Sequence, residues 1–288
     1  TYNLKSEIEV TPEMKKKQQT PVKIVVTGDA GAPVHTLYGP SKAGVNRAEW
    51  KLDYQPATKL AFLPEREASE YFDSQSGPPV MPGTYKIAVT ANGKTESTTV
   101  MVEPDPRYEL NLEVAKAQTR FGLETRDLLN AMTDMLNRVD SLKSQVATVQ
   151  KLLATEDEAS TLAVNYKPVL ENARTLDKKL KDFSEGFYNY EAQGGSDSLH
   201  YLDRLYDRVN SLSRWGTAFD YNEPVTPLLQ EQLNELRPQV EKLAGEFNAM
   251  LGSEVNTFNK LALEKGANTL YAGVPVEVKG ASATAVGK

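Results

Sequence analysis

Pro104-Asp105-Pro106-Arg107 divides the chain into halves with different hydrophobic periods. Upstream, apolar residues alternate in short runs broken by Gly, Pro and Asn, the pattern of strands and turns. Downstream, they recur every three or four residues from Leu112 to Leu261, the pattern of long amphipathic helices. The tetrapeptide is therefore a junction between a β module and a helical module. With prolines on either side of Asp105 the crossing is expected to be stiff, because each ring fixes its own φ.

Working backward from the junction, Thr84–Thr90 and Thr95–Val102 flank Ala91-Asn92-Gly93-Lys94. Asn-Gly supplies the two positive φ angles of a type I′ turn, so these runs predict a hairpin. Earlier runs at 21–27 and 34–38 end at Gly28-Asp29-Ala30-Gly31 and Gly39-Pro40 and read as strands. Arg47–Tyr54 alternates as well. Ala48, Trp50, Leu52 and Tyr54 fall on one side, and Arg47, Glu49, Lys51 and Asp53 on a wet side. Short strands at this spacing predict an antiparallel β-sandwich of the immunoglobulin or fibronectin III type over 1–106. Residues 55–82 form a long Pro-rich excursion within it, and segments of that length are functional or mobile.

Working forward, four stretches carry helical stripes. The first spans 112–153, through Leu129, Met132, Leu136, Val139, Val146, Val149 and Leu153. The second holds Leu162, Tyr166, Val169, Ala173, Leu176, Leu180, Phe183 and Phe187. Thr155-Glu156-Asp157-Glu158 before it has capping-box spacing, and Pro168 either kinks this helix or marks its start. The third holds Leu199, Leu202, Tyr206, Val209 and Leu212. The fourth runs from Leu229 to Leu261, with Thr226-Pro227 as N-cap and first residue, Pro238 as an expected kink and Gly266 as its end. Gly194-Gly195-Ser196 and 215–224 break the helices. An antiparallel bundle of three or four helices over 107–265 follows. Val274, Val276 and Val278 in the tail, 266–288, predict one added strand, with the last ten residues disordered.

Composition narrows the function. A net charge of −6 argues against a nucleic-acid partner, and no apolar run is long enough to span a membrane. The absence of Cys excludes disulfides, thiolate catalysis and zinc–thiolate sites, and fits a reducing cytosol or an exported bacterial protein. A start at Thr1, without Met or a signal peptide, reads as a processed or excised chain. His35 and His200 are the only histidines, and neither has the spacing of a metal site or triad. The abundant carboxylates lie among Lys and Arg on helix faces, where they pair or solvate. No cofactor site and no catalytic residue are predicted. What stands out is an aromatic group, Phe183, Phe187, Tyr188, Tyr190, Tyr201, Tyr206, Trp215, Phe219 and Tyr221, around two helix ends. It reads first as the plug closing one end of the helices. As a candidate interaction surface it offers Phe187, Tyr188, Tyr190, Trp215, Phe219 and Tyr221, for a sugar or a protein.

Asn46-Arg47-Ala48-Glu49-Trp50-Lys51-Leu52-Asp53-Tyr54 resembles the G-x-N-R-x-x-W-D-L-R-Y strand of bacterial sortilin-like, BNR-repeat β-propeller proteins. Pro82-Gly83-Thr84-Tyr85, Asn92-Gly93-Lys94 and Asp105-Pro106-Arg107 resemble the next elements of that family's C-terminal region. Weaker similarity extends through Leu205-Tyr206 to Phe258-Asn259. Lys51 departs from the family's Asp, and no blade repeat is present. The resemblance implies a non-catalytic accessory region of an exported protein, periplasmic, cell-surface or secreted. Its partners would be the N-terminal propeller of the same parent or another envelope protein. A carbohydrate-binding module that takes a glycan, and an enzyme with an unrecognised carboxylate site, are the alternatives.

Overall fold

A computed structural model describes all residues except 18, 29–30, 32, 63–75, 108, 155–160, 192–200, 217–222 and 281–288, and of 161–163 only the backbone. The chain is mixed α+β, with two antiparallel sheets ahead of a set of long helices. In order, the elements are β1 (Tyr2–Leu4), α1 (Pro12–Lys16), β2 (Lys23–Thr27), β3 (Pro33–Tyr38), β4 (Gly44–Asn46), β5 (Gly83–Ala91) and β6 (Lys94–Val102). There follow α2 (Leu112–Leu153), α3 (Thr161–Glu185), α4 (Leu205–Trp215), α5 (Pro227–Met250) and α6 (Asn256–Glu264). A π turn over Leu251–Val255 joins α5 to α6.

One sheet has the order β3-β2-β5-β6, and the other pairs β1 with β4. The hairpin forms as its turn chemistry requires: Asn92 and Gly93 take φ of 49° and 72°, and Ala91 pairs with Lys94. Val26, Val34, Tyr54, Tyr85 and Val102 form a small core beside the sheet. Leu123 of α2 completes it, so the β core and α2 share a face.

The predicted strand at 47–54 does not form. Its sole ladder contact is an isolated bridge from Asp53 to Pro79, and Leu52 takes a φ of 58°. Asp53, assigned to the wet side, is buried instead. Its backbone carbonyl accepts from the Trp50 indole at 2.8 Å, and its Oδ2 accepts from Gly77 N at 3.0 Å. Trp50 close by and Gly77 far along the chain thus take the place of a neighbouring strand. The chain then leaves the sheet and runs along α2. Asn130 Oδ1 accepts from Thr58 N and Asn137 Oδ1 from Ala61 N, both at 2.7 Å, while Asn137 Nδ2 donates to the Lys59 carbonyl at 3.1 Å. The described flanks of the 55–82 excursion are therefore docked; 63–75 lies outside the described residues.

Helix α2 begins at an Asn111 cap whose side chain accepts from Glu113 N and Val114 N. It is the central helix, packing against α3, α4 and α5. Its stripe from Leu128 to Val149 is buried, as are Val169, Ala173, Leu176 and Leu180 of α3 and Leu233, Leu236, Val240 and Phe247 of α5. Thr226 caps α5 with Pro227 in the first turn, as predicted. Pro168 and Pro238 both lie inside continuous helices. Each sits on the solvent side, and so do Val164 and Asn234, four residues back. Water can satisfy the carbonyls that proline leaves unpaired there, which lowers the cost of an interior proline.

Three further expectations need correction. The third helix starts at Leu205, leaving Leu202 91% exposed, while Leu199 lies outside the described residues. The fourth is interrupted by the π turn. The valine run of the tail forms no strand: Leu270 and Val276 are buried against the helices, and Val274 is exposed. The capping box at 155–158, the Gly194-Gly195-Ser196 break and the last eight residues fall outside the described residues.

Candidate functional site

The aromatic group divides into a buried part and an exposed ring. Phe187 and Tyr188 follow the last turn of α3 and are 2% and 8% exposed. The Phe187 carbonyl accepts from Tyr206 N at 3.0 Å, tying the start of α4 to the end of α3. Tyr188 stands edge-on to Tyr190 and Tyr206, at centroid distances of 4.8 and 5.1 Å. Phe183 meets Phe187 edge-on and stacks on Phe247 of α5, both at 5.4 Å. Phe62, brought in by the docked 55–62 segment, contacts Tyr188 and Tyr190. Burial pushes the Tyr190 and Tyr206 hydroxyls above the usual phenol range. These rings are core contacts, and a partner could reach Phe187 or Tyr188 only if that core opened. Trp215, at the end of α4, is 59% exposed and can meet a partner directly. Phe219 and Tyr221 lie outside the described residues.

His35 sits at the edge of the β core. Its Nδ1 is 3.0 Å from Asp53 Oδ1 and 3.1 Å from the Asp53 carbonyl. One N–H cannot point at both, so Oδ1 has a charge contact without an aligned hydrogen bond. The Asp53 side chain raises the imidazole pKa, and this outweighs the opposing effect of burial. A raised folded-state pKa stabilises fully below the ordinary histidine value of about 6.5, and that contribution is lost as pH rises through the folded value. Unfolding midpoints of wild type and His35→Gln should therefore converge over the range above about pH 6.5, through a fall in the wild type. A constant difference across that range would show that the pair does not titrate.

A second feature lies where the tail segment crosses the helices. Asn259 Nδ2 donates to the Leu270 carbonyl at 2.9 Å, and its Oδ1 accepts from Leu270 N at 2.7 Å. Asn248 does the same to Val276, at 2.9 and 2.8 Å. Gln145 does so to Tyr271, at 3.3 and 2.8 Å. Arg138 donates to the Val274 carbonyl. Three primary amides from α2, α5 and α6 thus treat the segment as a neighbouring strand would. Sequence reasoning missed these residues. The available signal was the seven-residue spacing Asn130–Asn137 and Arg138–Gln145, which places polar side chains two helical turns apart.

Elsewhere, a cleft of about 690 Å³ opens between Thr1–Ser6 and the end of the β5–β6 hairpin. Among the described residues no group of carboxylates and histidines is arranged to hold a metal, and no helix is long and apolar enough to cross a membrane. Set against protein-family models, curated proteins and solved structures, the chain matches none.

Proposed function

We propose that the chain is a non-catalytic accessory module that works through contacts with polypeptide. In this reading an immunoglobulin-like sandwich and an antiparallel helical bundle form the C-terminal part of an exported bacterial β-propeller protein. The amide-clamped seating of two extended segments on the helices is the observation that carries it. Side-chain amides that meet both backbone polar groups of one residue favour polypeptide over a sugar or a reacting small molecule. The exposed Trp215 adds an aromatic anchor of the kind that interfaces use. The resemblance of the 46–54, 82–85 and 105–107 motifs to sortilin-like proteins supplies the candidate partners, the propeller of the same parent or another envelope protein.

The propeller of the proposed parent, expressed apart from this chain, is expected to bind it with a Kd of about 10 µM or tighter by calorimetry. Trp215→Ala should weaken that binding. No heat of binding at about 1 mM propeller would overturn the accessory role. So would turnover of an aryl glycoside by the purified chain above the blank.

A further inference from the structure

Residues 52–55 are held at once by the sheet, by the 77–80 segment and by α2. The Leu52 carbonyl accepts from Val80 N at 2.9 Å, and Tyr54 N donates to the Pro78 carbonyl at 2.8 Å. Gln55 N donates to the Val34 carbonyl at 2.8 Å, and Gln55 Oε1 accepts from Thr36 N at 2.9 Å. From α2, Arg126 Nη1 donates to the Gln55 carbonyl at 3.3 Å. Asp53 stands at the centre of this crossing, 6% exposed, with Oδ2 on Gly77 N and Oδ1 facing His35 Nδ1. Gly77 leads directly into Pro78, and a Cβ on Gly122 of α2 would meet the Pro78 ring. One path of contacts therefore runs from His35 through Asp53, Gly77 and Pro78 to α2. Leu52, just before Asp53, keeps a left-handed φ of 58°, a strain that lasts only where the surroundings over-determine it.

We infer that the His35–Asp53 pair is a proton-operated latch on the seam between the sheet and α2, firm while the imidazole carries both protons and eased when it releases one. The released proton is the one on Nε2, because Nδ1 faces Asp53 acceptors in either state and Nε2 has no partner among the described residues. Neutral His35 still donates through Nδ1, but the attraction between cation and carboxylate is gone, and charge-assisted hydrogen bonds are about twice as strong as neutral ones. The His35 side chain is 16% exposed, so the proton can exchange with water. Around the pair, β2 sets uncharged Val26 opposite His35, and β5 brings Tyr85, whose hydroxyl donates to the Met81 carbonyl at 2.7 Å. Burial pushes the Tyr54 hydroxyl above the usual phenol range, and Arg126 of α2 is paired with Asp127 at 2.7 Å. His35 is thus the group at this seam, among the described residues, whose charge changes near neutral pH. Because Asp53 raises the imidazole pKa in the folded state, the closed seam is favoured in acid and eased as pH climbs past about 6.5. The chain thereby converts a pH change near neutrality into a change in how firmly its two halves are joined. This goes beyond the accessory role and stands whether or not a propeller binds.

The test follows the His35 ring and the Gly77 amide by NMR on the full isotope-labelled chain, from about pH 5 to about pH 9. The Gly77 amide shift is expected to titrate with the same midpoint as the His35 ring, above about pH 6.5. Protection of the Tyr54 and Val80 amides, corrected for the intrinsic exchange rate at each pH, should fall at least about threefold from the acid to the alkaline side. His35→Gln should abolish both the Gly77 titration and that fall. A Gly77 amide that ignores the His35 midpoint would overturn the inference, and so would an equal fall in protection in wild type and His35→Gln. The Leu180 amide of α3, which lies off this path, should show no such midpoint. If it follows His35 as closely as Gly77 does, the effect is not local to the seam and the latch falls. Should His35→Gln fail to fold, the wild-type titration decides: a midpoint shared by His35 and Gly77 but not by Leu180 supports the latch, and any other pattern sinks it.

Discussion

Phe247→Ala is expected to cost about 3–5 kcal/mol in denaturant unfolding, the range for removing a fully buried aromatic side chain. Trp215→Ala should change stability by no more than about 0.5 kcal/mol. Phe247 lies in the ring cluster, whereas Trp215 stands at the far end of α4 from Tyr206, and the contrast separates a buried ring from an exposed one. Phe247 is fully buried and stacks on Phe183, which in turn meets Phe187. Deleting the ring removes its transfer free energy and leaves a cavity that the surrounding helices can close only in part. Trp215 is 59% exposed, so its loss removes little buried area. A cost below about 1 kcal/mol for Phe247→Ala would mean that the rings are not the plug of the helical core. A cost of several kcal/mol for Trp215→Ala would mean that its exposed ring supports the fold rather than waits for a partner.

What could be read from the sequence follows how local each determinant is. Asn92-Gly93 fixes its hairpin through the φ preferences of two adjacent residues, so the turn appears where the dipeptide sits. Helix α2 runs from Leu112 to Leu153 as its stripe predicts, because forty-two residues of consistent period outweigh any single exception. The alternation of Arg47–Tyr54 is also local, but its outcome is tertiary. Asp53 finds His35, Trp50 and Gly77, and those contacts turn the segment away from a sheet. The valines of the tail alternate too, and side-chain amides took the place of a strand partner. No hydrophobic pattern marks such a clamp, since its donors and acceptors are ordinary helical Asn and Gln. The same limit applies to the aromatic group. Phe183, Phe187, Tyr188, Tyr190 and Tyr206 do meet, but spacing gave neither Phe62 nor Phe247, and burial separated Phe187 and Tyr188 from Trp215.

Two helical glycines should respond to alanine with opposite signs. Gly245 lies on the exposed side of α5, and a Cβ there meets nothing within 4 Å. Gly245→Ala should stabilise the chain by about 0.5–1 kcal/mol, because alanine loses less backbone entropy in a helix. Gly122 is the other case. It is buried on α2, and a Cβ would collide with the Gly216 carbonyl and stand 2.9 Å from the Pro78 ring. In return, a Cβ on Gly216 would lie 2.9 Å from the Gly122 Cα and 2.6 Å from the Thr125 hydroxyl. Two backbones therefore touch where α4 ends against α2, and the 76–82 segment from the β half packs into the same point. Backbone cannot rotate aside as a flexible side chain does, so the helix propensity gained from alanine is overwhelmed. Gly122→Ala should cost about 1–3 kcal/mol, the usual range for overpacking. The separation between the two variants, measured in the same denaturant series, is then about 1.5–4 kcal/mol in favour of Gly245→Ala. Two stabilising substitutions would mean that α2 and α4 stand farther apart than this contact requires. Because Pro78 shares the contact, Gly122→Ala should also speed amide exchange at Tyr54, whose N–H donates to the Pro78 carbonyl at 2.8 Å. Loss of protection there, with α3 unchanged, would place the damage at the seam between the β half and the helices.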